Sequence, residues 1–286
     1  MANLKEIRNR ISSVSSTMQI TSAMKMVSAA KLKKAQDAIT AMRPYANKLT
    51  ELLQSLSATL DADSGSKFAE QREVNKVLIV AITSNRGLCG AFNSNILKEV
   101  ARLTSETYAN QEVSFLAIGK KANDALSKSG DVIANKSEVF DDLTFDNVAA
   151  IAEMLMAKFV EGDFDKIELV YNKFKNAATQ IVMTEQFLPI APVEGEVNSN
   201  LDYIFEPSKE EIVETLIPKS LKTQLYKAIR DSFASEHGAR MTAMHKATDN
   251  ATELRDQLKL TYNKARQAAI TNEILEIVGG AEALNN

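Results

Sequence analysis

The stretch LKEIRNRISSVSSTMQITSAMKMVSAAKLKKAQDAITAMRPYANKLTELLQSLSATL, residues 4–60, decides the fold of this chain. Two sets of mostly apolar residues, three positions apart, each recur in it every seven residues: Leu4, Ile11, Met18, Lys25, Leu32, Ile39, Ala46, Leu53 and Leu60, then Ile7, Val14, Thr21, Ser28, Ala35, Met42, Leu49 and Leu56. This heptad spacing predicts a helix with a long, narrow apolar seam. At 1.5 Å per residue the helix would extend roughly 90 Å, so it must find a partner helix.

Composition is typical of a soluble protein and leaves few residues for metal or redox chemistry. Of the 286 residues, 45% are hydrophobic and 25% are charged, as in an average globular domain. No apolar run is long enough to predict a transmembrane helix, and no secretory signal is evident at the N-terminus. A single cysteine, Cys89, excludes an internal disulfide and fits a reducing cytoplasm. With only two histidines besides, we expect no cofactor and no bound metal.

Positive charge is concentrated at the start of the chain. Residues 1–50 hold nine lysines and arginines against Glu6 and Asp37, a local charge of +7, whereas the whole chain carries −3. A solvated helix face explains this stretch, and so does a basic arm that approaches an acidic partner, a nucleic acid or a membrane surface. Composition alone does not separate the two interpretations.

Changes in periodicity divide the chain into three segments. We predict an N-terminal coiled-coil helix over 1–64, a central α/β domain over 72–205 and a C-terminal coiled-coil helix over 207–286. A kink is expected near Pro44, because proline removes a helix hydrogen bond. The polar stretch 61–71 predicts a loop that leaves the first helix.

The central segment alternates short apolar runs with helical stretches. Strands are predicted over 77–82, 113–118, 167–171 and 179–183, and helices over 92–109, 120–128 and 146–160. This alternation is typical of a Rossmann-like α/β domain with a partly parallel sheet. The short gap between the last two strands indicates an antiparallel hairpin.

The third segment is helical again, with a break or restart expected at Pro218. From Met244 onward a seam of mostly small residues returns: Ala247, Ala251, Leu254, Leu258, Thr261, Ala265, Ala268 and Leu275. Small side chains allow a partner helix to approach closely. Because two long helical ends flank one compact domain, we predict that they wind together as an antiparallel coiled coil.

Three short motifs suggest chemistry, and each has a plainer explanation. The turn over 84–90 carries two glycines but lacks the spacing of a phosphate-binding loop, so a tight strand-to-helix turn is favoured. Cys89 has no histidine near it in the predicted plan, so a buried core cysteine is favoured over a nucleophile. Glu273 and Glu276 share a helix face without a cleft, which favours solvated or partner-facing charge.

Four ordered motifs resemble the gamma subunit of F-type ATP synthases. They are Ile7-Arg8-Asn9-Arg10-Ile11 continued by Ala23-Met24-Lys25-Met26-Val27, then Arg86-Gly87-Leu88-Cys89-Gly90, then Ser235-Glu236 with Ala239-Arg240-Met241, and last Tyr262-Asn263-Lys264-Ala265-Arg266-Gln267 with Ile270-Thr271-Asn272-Glu273. The resemblance covers essentially the whole chain. It departs at Gly279, where the family usually has Ser or Thr, and the pair Gly279-Gly280 predicts an early end of the last helix.

This resemblance implies a rotor shaft and not an active site. In this family the coiled coil enters a hexameric head of alpha and beta subunits, while the α/β domain lies with the epsilon subunit and the membrane c-ring. Proton flow turns ring and shaft together, and the asymmetric shaft moves each catalytic subunit through distinct nucleotide affinities. The chain would then be a non-catalytic subunit of an ATP-forming translocase. It would be peripheral to the cytoplasmic face of a bacterial inner membrane and would bind no nucleic acid.

The matched motifs also carry over contact residues by position. The resemblance implies head contacts for Met24, Lys25, Arg240, Gln267, Thr271 and Glu273, and c-ring contacts at the foot for Tyr203, Phe205 and Glu206. It gives the basic N-terminal face a candidate partner in acidic loops of the head and ring. It implies no catalytic, cofactor-binding or metal-binding residue.

Two other classes of function are compatible with the residues alone. A coiled-coil scaffold or a nucleic-acid-binding protein would use the basic N-terminal arm, which however lacks interleaved aromatic residues. An enzyme would place its site in the α/β domain, and nucleotide binding there would distinguish it.

Overall fold

The computed structural model describes residues 4–57, 67–190 and 209–284. Along the sequence, one long helix precedes the central segment and another follows it. They are α1 (Leu4–Ser57) and α5 (Lys209–Leu284). Most of the predicted exit loop lies outside the described residues.

By their internal contacts the residues form two compact units. The paired-end unit contains the chain up to Ser28 and from Met241 onward, and the α/β unit contains Ala29–Arg240. Helices α1 and α5 each contribute to both units.

The α/β unit is built on one five-stranded sheet. Its elements are β1 (Lys76–Ile82), α2 (Phe92–Arg102), β2 (Glu112–Ile118), α3 (Lys120–Leu126), β3 (Asp131–Asn135), α4 (Phe145–Val160), β4 (Lys166–Phe174) and β5 (Gln180–Leu188). The strand order is β3-β2-β1-β4-β5, in which the first four strands are parallel and β5 runs antiparallel to β4. The predicted partly parallel sheet with a terminal hairpin is confirmed.

Helices cover both faces of this sheet. Even-numbered apolar residues of β1 pack in a core with α4 and α5, and odd-numbered ones pack in a second core with α2 and α3. A strand buried on both faces needs apolar residues at successive positions. The unbroken apolar run Val77–Ile82 therefore marks the centre of the sheet, and the sequence predicted it as a strand.

The sequence did not predict β3. This strand lies at the edge of the sheet beside β2, and none of its five residues is fully buried. A short, half-exposed edge strand carries only a weak apolar pattern. A 3-10 helix, Ser137–Phe140, follows it, and a π-helical stretch, Leu103–Thr107, extends α2 inside the region predicted as helical.

Two predicted interruptions of the last helix are wrong. Helix α5 continues through Pro218 and through Gly279-Gly280 to Leu284. Ile217 and Leu221 beside the proline are only 7% and 3% exposed, so apolar burial compensates for the hydrogen bond that proline removes. Each glycine costs about 1 kcal/mol of helix propensity, which is too little to end this helix. Helix α1 is also continuous through Pro44, and the kink expected there stays a prediction.

In the paired-end unit the two helices run antiparallel, as predicted. The Arg8 guanidinium donates to the Tyr262 hydroxyl at 2.8 Å, and the Thr248 hydroxyl donates to the Thr21 hydroxyl at 2.8 Å. Residue numbers therefore rise along one helix as they fall along the other. Ile7, Thr21 and Ser28 of the predicted seam are all less than 9% exposed.

The α1 residues of the α/β unit keep the same heptad seam. Met42 of this seam is half-buried, and five further members are almost fully buried: Leu32, Ala35, Ile39, Ala46 and Leu49. Within this unit α1 also lies beside α5, where the Lys219 ammonium stands 5.9 Å from the centre of the Tyr45 ring.

Candidate functional site

The turn between β1 and α2 is held by its own side chains. Ser84 donates its backbone N–H to the Asn93 side-chain oxygen at 3.0 Å and its hydroxyl to the Arg86 carbonyl at 2.7 Å. Leu88 and Gly90 adopt positive φ angles of 62° and 60°, a region that favours glycine. The predicted tight strand-to-helix turn is confirmed.

Cys89 is a core residue of this turn. Its side chain is 1% exposed and packs with Phe92 and Ala239. The Asn93 amide lies 3.2 Å from the Cys89 sulfur, and within the described residues no histidine is hydrogen-bonded to Cys89. Burial raises the pKa of the Cys89 thiol, so the neutral, weakly nucleophilic form predominates at neutral pH. This agrees with the predicted core role.

Hydrogen bonds within the protein lie at the place where many α/β sheets bind ligands. In open sheets of this type the crevice lies at the carboxyl ends of the strands where the strand order reverses, here between β1 and β4. The Asn172 amide at the end of β4 donates to the Phe92 carbonyl at 3.1 Å, and the Ser235 hydroxyl of α5 donates to the Asn172 carbonyl at 3.0 Å. A backbone carbonyl of α2 and a side chain of α5 are therefore both bonded to Asn172 at this place.

The second glycine turn, between β2 and α3, is also committed to internal contacts. A Cβ on Gly119 would lie 2.3 Å from the Thr83 carbonyl oxygen, so the turn packs directly on the β1 backbone. The Ala122 N–H donates to the Thr83 hydroxyl at 2.8 Å, and the Lys120 N–H donates to the Asn85 side-chain oxygen at 3.0 Å. These amides at the start of α3 are not available to a phosphate.

Arg240 lies inside the α/β unit and is only 8% exposed. Its guanidinium donates to the Glu236 carboxylate at 2.5 Å, to the Arg86 carbonyl at 3.0 Å and to the Gly87 carbonyl at 3.3 Å. Burial raises the pKa of Glu236, and the positive charge of Arg240 counteracts this. The resemblance implied a head contact for this residue, and the structure adds a set of partners within the chain.

His237 is a buried residue, which the sequence analysis considered only as a base for Cys89 and set aside. It is 5% exposed and its ring stands edge-on to Phe233 at 4.5 Å between centres. Within the described residues neither ring nitrogen has a hydrogen-bond partner. Burial, with the nearby charges of Arg240 and Lys31, lowers its pKa to about 3. The i, i+4 spacing from Phe233 was the available sequence signal, but such spacing does not reveal which helix face is buried.

The other sequence-predicted contact residues fall into three groups. Met24 and Lys25 are half-buried on α1, whereas Gln267, Thr271 and Glu273 are exposed on α5. The foot residues form the last group and lie outside the described residues: Tyr203, Phe205 and Glu206.

A set of exposed apolar residues surrounds the α5 residues predicted to contact the head. Each member is at least 47% exposed: Ile270, Ile274, Leu275, Ile277 and Val278. An apolar surface of this kind on a helix indicates a contact with another molecule. The sequence identified only Leu275 of this set, as a seam residue.

The described ranges of the chain lack two other kinds of site. They contain no group of three or more histidine, cysteine or carboxylate side chains arranged to hold a metal ion. None of their helices is long and apolar enough to cross a membrane.

Known proteins of one kind resemble this chain over its whole length. The family model described as ATP synthase matches residues 3–284. An ATP synthase gamma chain of Flavobacterium psychrophilum is 79% identical over 285 residues, with 99% of each chain covered, and one of Flavobacterium johnsoniae is 77% identical with both chains fully covered. In the Euglena gracilis mitochondrial ATP synthase (OSCP/F1/c-ring), a chain 23% identical to this one superimposes with a TM-score of 0.73, covering 98% of this chain and 94% of its own.

Proposed function

Because this chain belongs to the family of ATP synthase gamma chains, we propose that it works as the central-stalk rotor of such a complex without catalysing any reaction itself. The observation that carries this proposal is the match of the whole chain to two gamma chains at 79% and 77% identity. The hydrogen bonds of Asn172 to α2 and α5, at the usual ligand position between β1 and β4, support a non-catalytic role.

The rotor acts by differential binding. A shaft whose surface differs around its circumference presents a different face to each identical catalytic subunit, and each face stabilises a different conformer of that subunit. As the shaft rotates, each catalytic subunit in turn changes its conformer and, with it, its affinity for nucleotide. A ligand, here the shaft, can shift such an equilibrium only by the difference in its affinity for the conformers.

The head of alpha and beta subunits is the proposed partner of the paired-end unit. In that unit the exposed Gln267, Thr271 and Glu273 contact the head together with the apolar residues around them. Met24 and Lys25 lie on the other helix of the same unit. Exposed apolar side chains among polar ones are typical of a surface covered by a partner.

The epsilon subunit and the c-ring are the proposed partners at the foot of the rotor. Tyr203, Phe205 and Glu206 are assigned to the c-ring by their position in the family motif. The complex is proton-translocating, and the chain lies peripherally at the cytoplasmic face of a bacterial inner membrane. High identity to bacterial gamma chains supports this location.

Co-purification of the full-length chain tests the proposed function. Expressed with the other subunits of its own complex, a tagged chain should bring down alpha, beta and epsilon subunits together with ATPase activity. The chain alone should bind no ATP in equilibrium dialysis. Recovery of the tagged chain without alpha and beta subunits, or ATP binding by the chain alone, would contradict the proposal.

A further inference from the structure

Helix α5 is fixed to the α/β unit by polar contacts over six residues, 235–240, here called the clamp segment. At its start the Ser235 hydroxyl donates to the Asn172 carbonyl at the end of β4, at 3.0 Å. A Cβ on Gly238 would lie 3.1 Å from the Ala177 Cα, so the helix packs against the backbone of the β4–β5 turn. At its end Arg240 binds the turn after β1. The segment is therefore held from both sides within one unit.

Arg240 is suited to hold this turn. One guanidinium nitrogen donates to the Glu236 carboxylate at 2.5 Å, and another donates to the Arg86 and Gly87 carbonyls at 3.0 and 3.3 Å. The planar guanidinium presents several donors in a fixed geometry, which a lysine ammonium lacks. Arg240 and Glu236 are each only 8% exposed, so water does not readily replace either partner.

The turn that Arg240 binds is itself rigid. Ser84 and Asn93 are hydrogen-bonded to each other, and Cys89 packs with Phe92 and with Ala239 of the clamp segment. Directional hydrogen bonds to a rigid turn resist sliding, whereas apolar contacts, being non-directional, resist it less.

We propose that Arg240 is a positioning residue of the rotor, which locks the turn at Arg86-Gly87 to α5 so that torque on the α/β unit passes into α5 without slippage. This inference rests on the proposed function. Arg240 is the last residue of the α/β unit, and α5 continues beyond it into the paired-end unit. The hydrogen bonds of Arg240 are therefore located at the point where α5 leaves the α/β unit. This positioning is a role inside the chain, distinct from a contact with the head.

Hydrogen exchange in the isolated full-length chain tests the lock itself. Arg240→Ala should accelerate amide exchange in residues 86–90 about tenfold or more, because charge-assisted hydrogen bonds are lost. Arg102→Ala is the matched control, since the Arg102–Glu99 pair (2.6 Å) belongs to the same unit but is exposed. Unchanged exchange in Arg240→Ala would overturn the lock, and it is the result expected if Arg240 acted only through the head.

Coupling in the assembled complex tests the role in torque transfer. In Arg240→Ala we expect ATP hydrolysis to persist while ion pumping per ATP falls at least twofold, and Arg102→Ala to match the wild type. Glu236→Gln keeps a hydrogen-bond acceptor, should fold if Arg240→Ala does not, and should show both effects in weaker form. Faster exchange with unchanged coupling would overturn the proposal and leave the rotor function intact. Failure of wild-type chain to assemble with alpha and beta subunits would instead refute the proposed function.

Discussion

Thr21 and Thr248 form a hydroxyl-to-hydroxyl hydrogen bond of 2.8 Å across the seam of the paired-end unit. Each hydroxyl also lies within hydrogen-bond distance of a carbonyl of its own helix, Thr21 at 3.1 Å from Met18 and Thr248 at 2.8 Å from Met244. Because the two hydroxyls have two protons between them, only one of these backbone bonds forms while the pair is bonded. Thr21 interrupts the heptad of apolar residues, yet it is only 8% exposed. A polar pair in an otherwise apolar seam favours one axial alignment of two helices, because a shift separates the two hydroxyls and loses the bond between them.

The effects of substituting Thr21 and Thr248 on the free energy of unfolding should therefore be non-additive. Thr21→Val and Thr248→Val should each lower the free energy of unfolding by about 1 kcal/mol, and the double variant should cost less than the sum, since no hydroxyl is then left behind. Urea unfolding of the isolated chain followed by circular dichroism measures all three. Thr252→Val, whose hydroxyl bonds only to the Thr248 carbonyl, is the control. Strictly additive costs would contradict the coupling.

Gly119 should be the glycine of the α/β unit least tolerant of substitution. Its φ is +118°, and a Cβ there would lie 2.3 Å from the Thr83 carbonyl oxygen, so the β1 and β2 backbones would have to separate. We expect Gly119→Ala to lower the free energy of unfolding by about 3 kcal/mol or more. The substitution would add backbone strain at a positive φ and would separate the two backbones that are now in close contact.

Gly87→Ala provides the matched control for that experiment. A Cβ on Gly87 meets no atom within 4 Å, and we expect a change of less than about 0.5 kcal/mol. Equal costs for the two variants in urea unfolding would contradict the close packing of the β2–α3 turn on β1.

Sequence periodicity predicted most of the fold because burial on opposite faces leaves a regular pattern. The heptads of α1 and the apolar run of β1 are both read directly from residue spacing. Edge strand β3 was missed since only its centre is half-buried. The break expected at Pro218 was wrong because the burial of Leu221, a tertiary effect, decides whether a helix continues through a proline.

The candidate site was less predictable, since it depends on which distant residues meet. Arg240 was selected only through the family resemblance, and nothing in its spacing indicates that it binds the backbone of the turn at Arg86-Gly87. His237 stood out in no motif. The direction in which a polar helical residue points is fixed by packing against other elements, which a single sequence does not contain.

His237 should make the chain less stable in mild acid. Its pKa is about 3 in the folded protein and about 6.5 unfolded, so the unfolded state takes up the proton first as pH falls. Stability is then lost below about pH 6.5 and continues to fall towards about pH 3. Between pH 7 and pH 5 this corresponds to about 2 kcal/mol, at 1.36 kcal/mol per pKa unit.

Comparing the two histidines isolates this effect. His237→Phe should remove about 2 kcal/mol of the difference in unfolding free energy between pH 7 and pH 5, as measured in urea. His245→Gln is the control and should retain the pH dependence that comes from the burial of His237, since His245 is exposed on the same helix. Charged neighbours of His237, namely Glu236, Arg240 and Lys31, remain in both variants. A pH dependence in His237→Phe equal to wild type would refute the assignment.

The exposed residues near the end of α5 should affect coupling without affecting stability. Gln267 and Thr271 are exposed, and the Thr271 hydroxyl bonds only to the Gln267 backbone carbonyl one turn earlier. Gln267→Ala with Thr271→Ala should leave the unfolding free energy of the isolated chain within about 0.5 kcal/mol of wild type. In the assembled complex the pair should lower ATP-driven ion pumping about fivefold, as expected if contacts worth about 1 kcal/mol are lost. Gln257→Ala, exposed on the same helix but outside the family motif, should leave pumping unchanged. Equal pumping in both variants would place the head contact elsewhere on the helix.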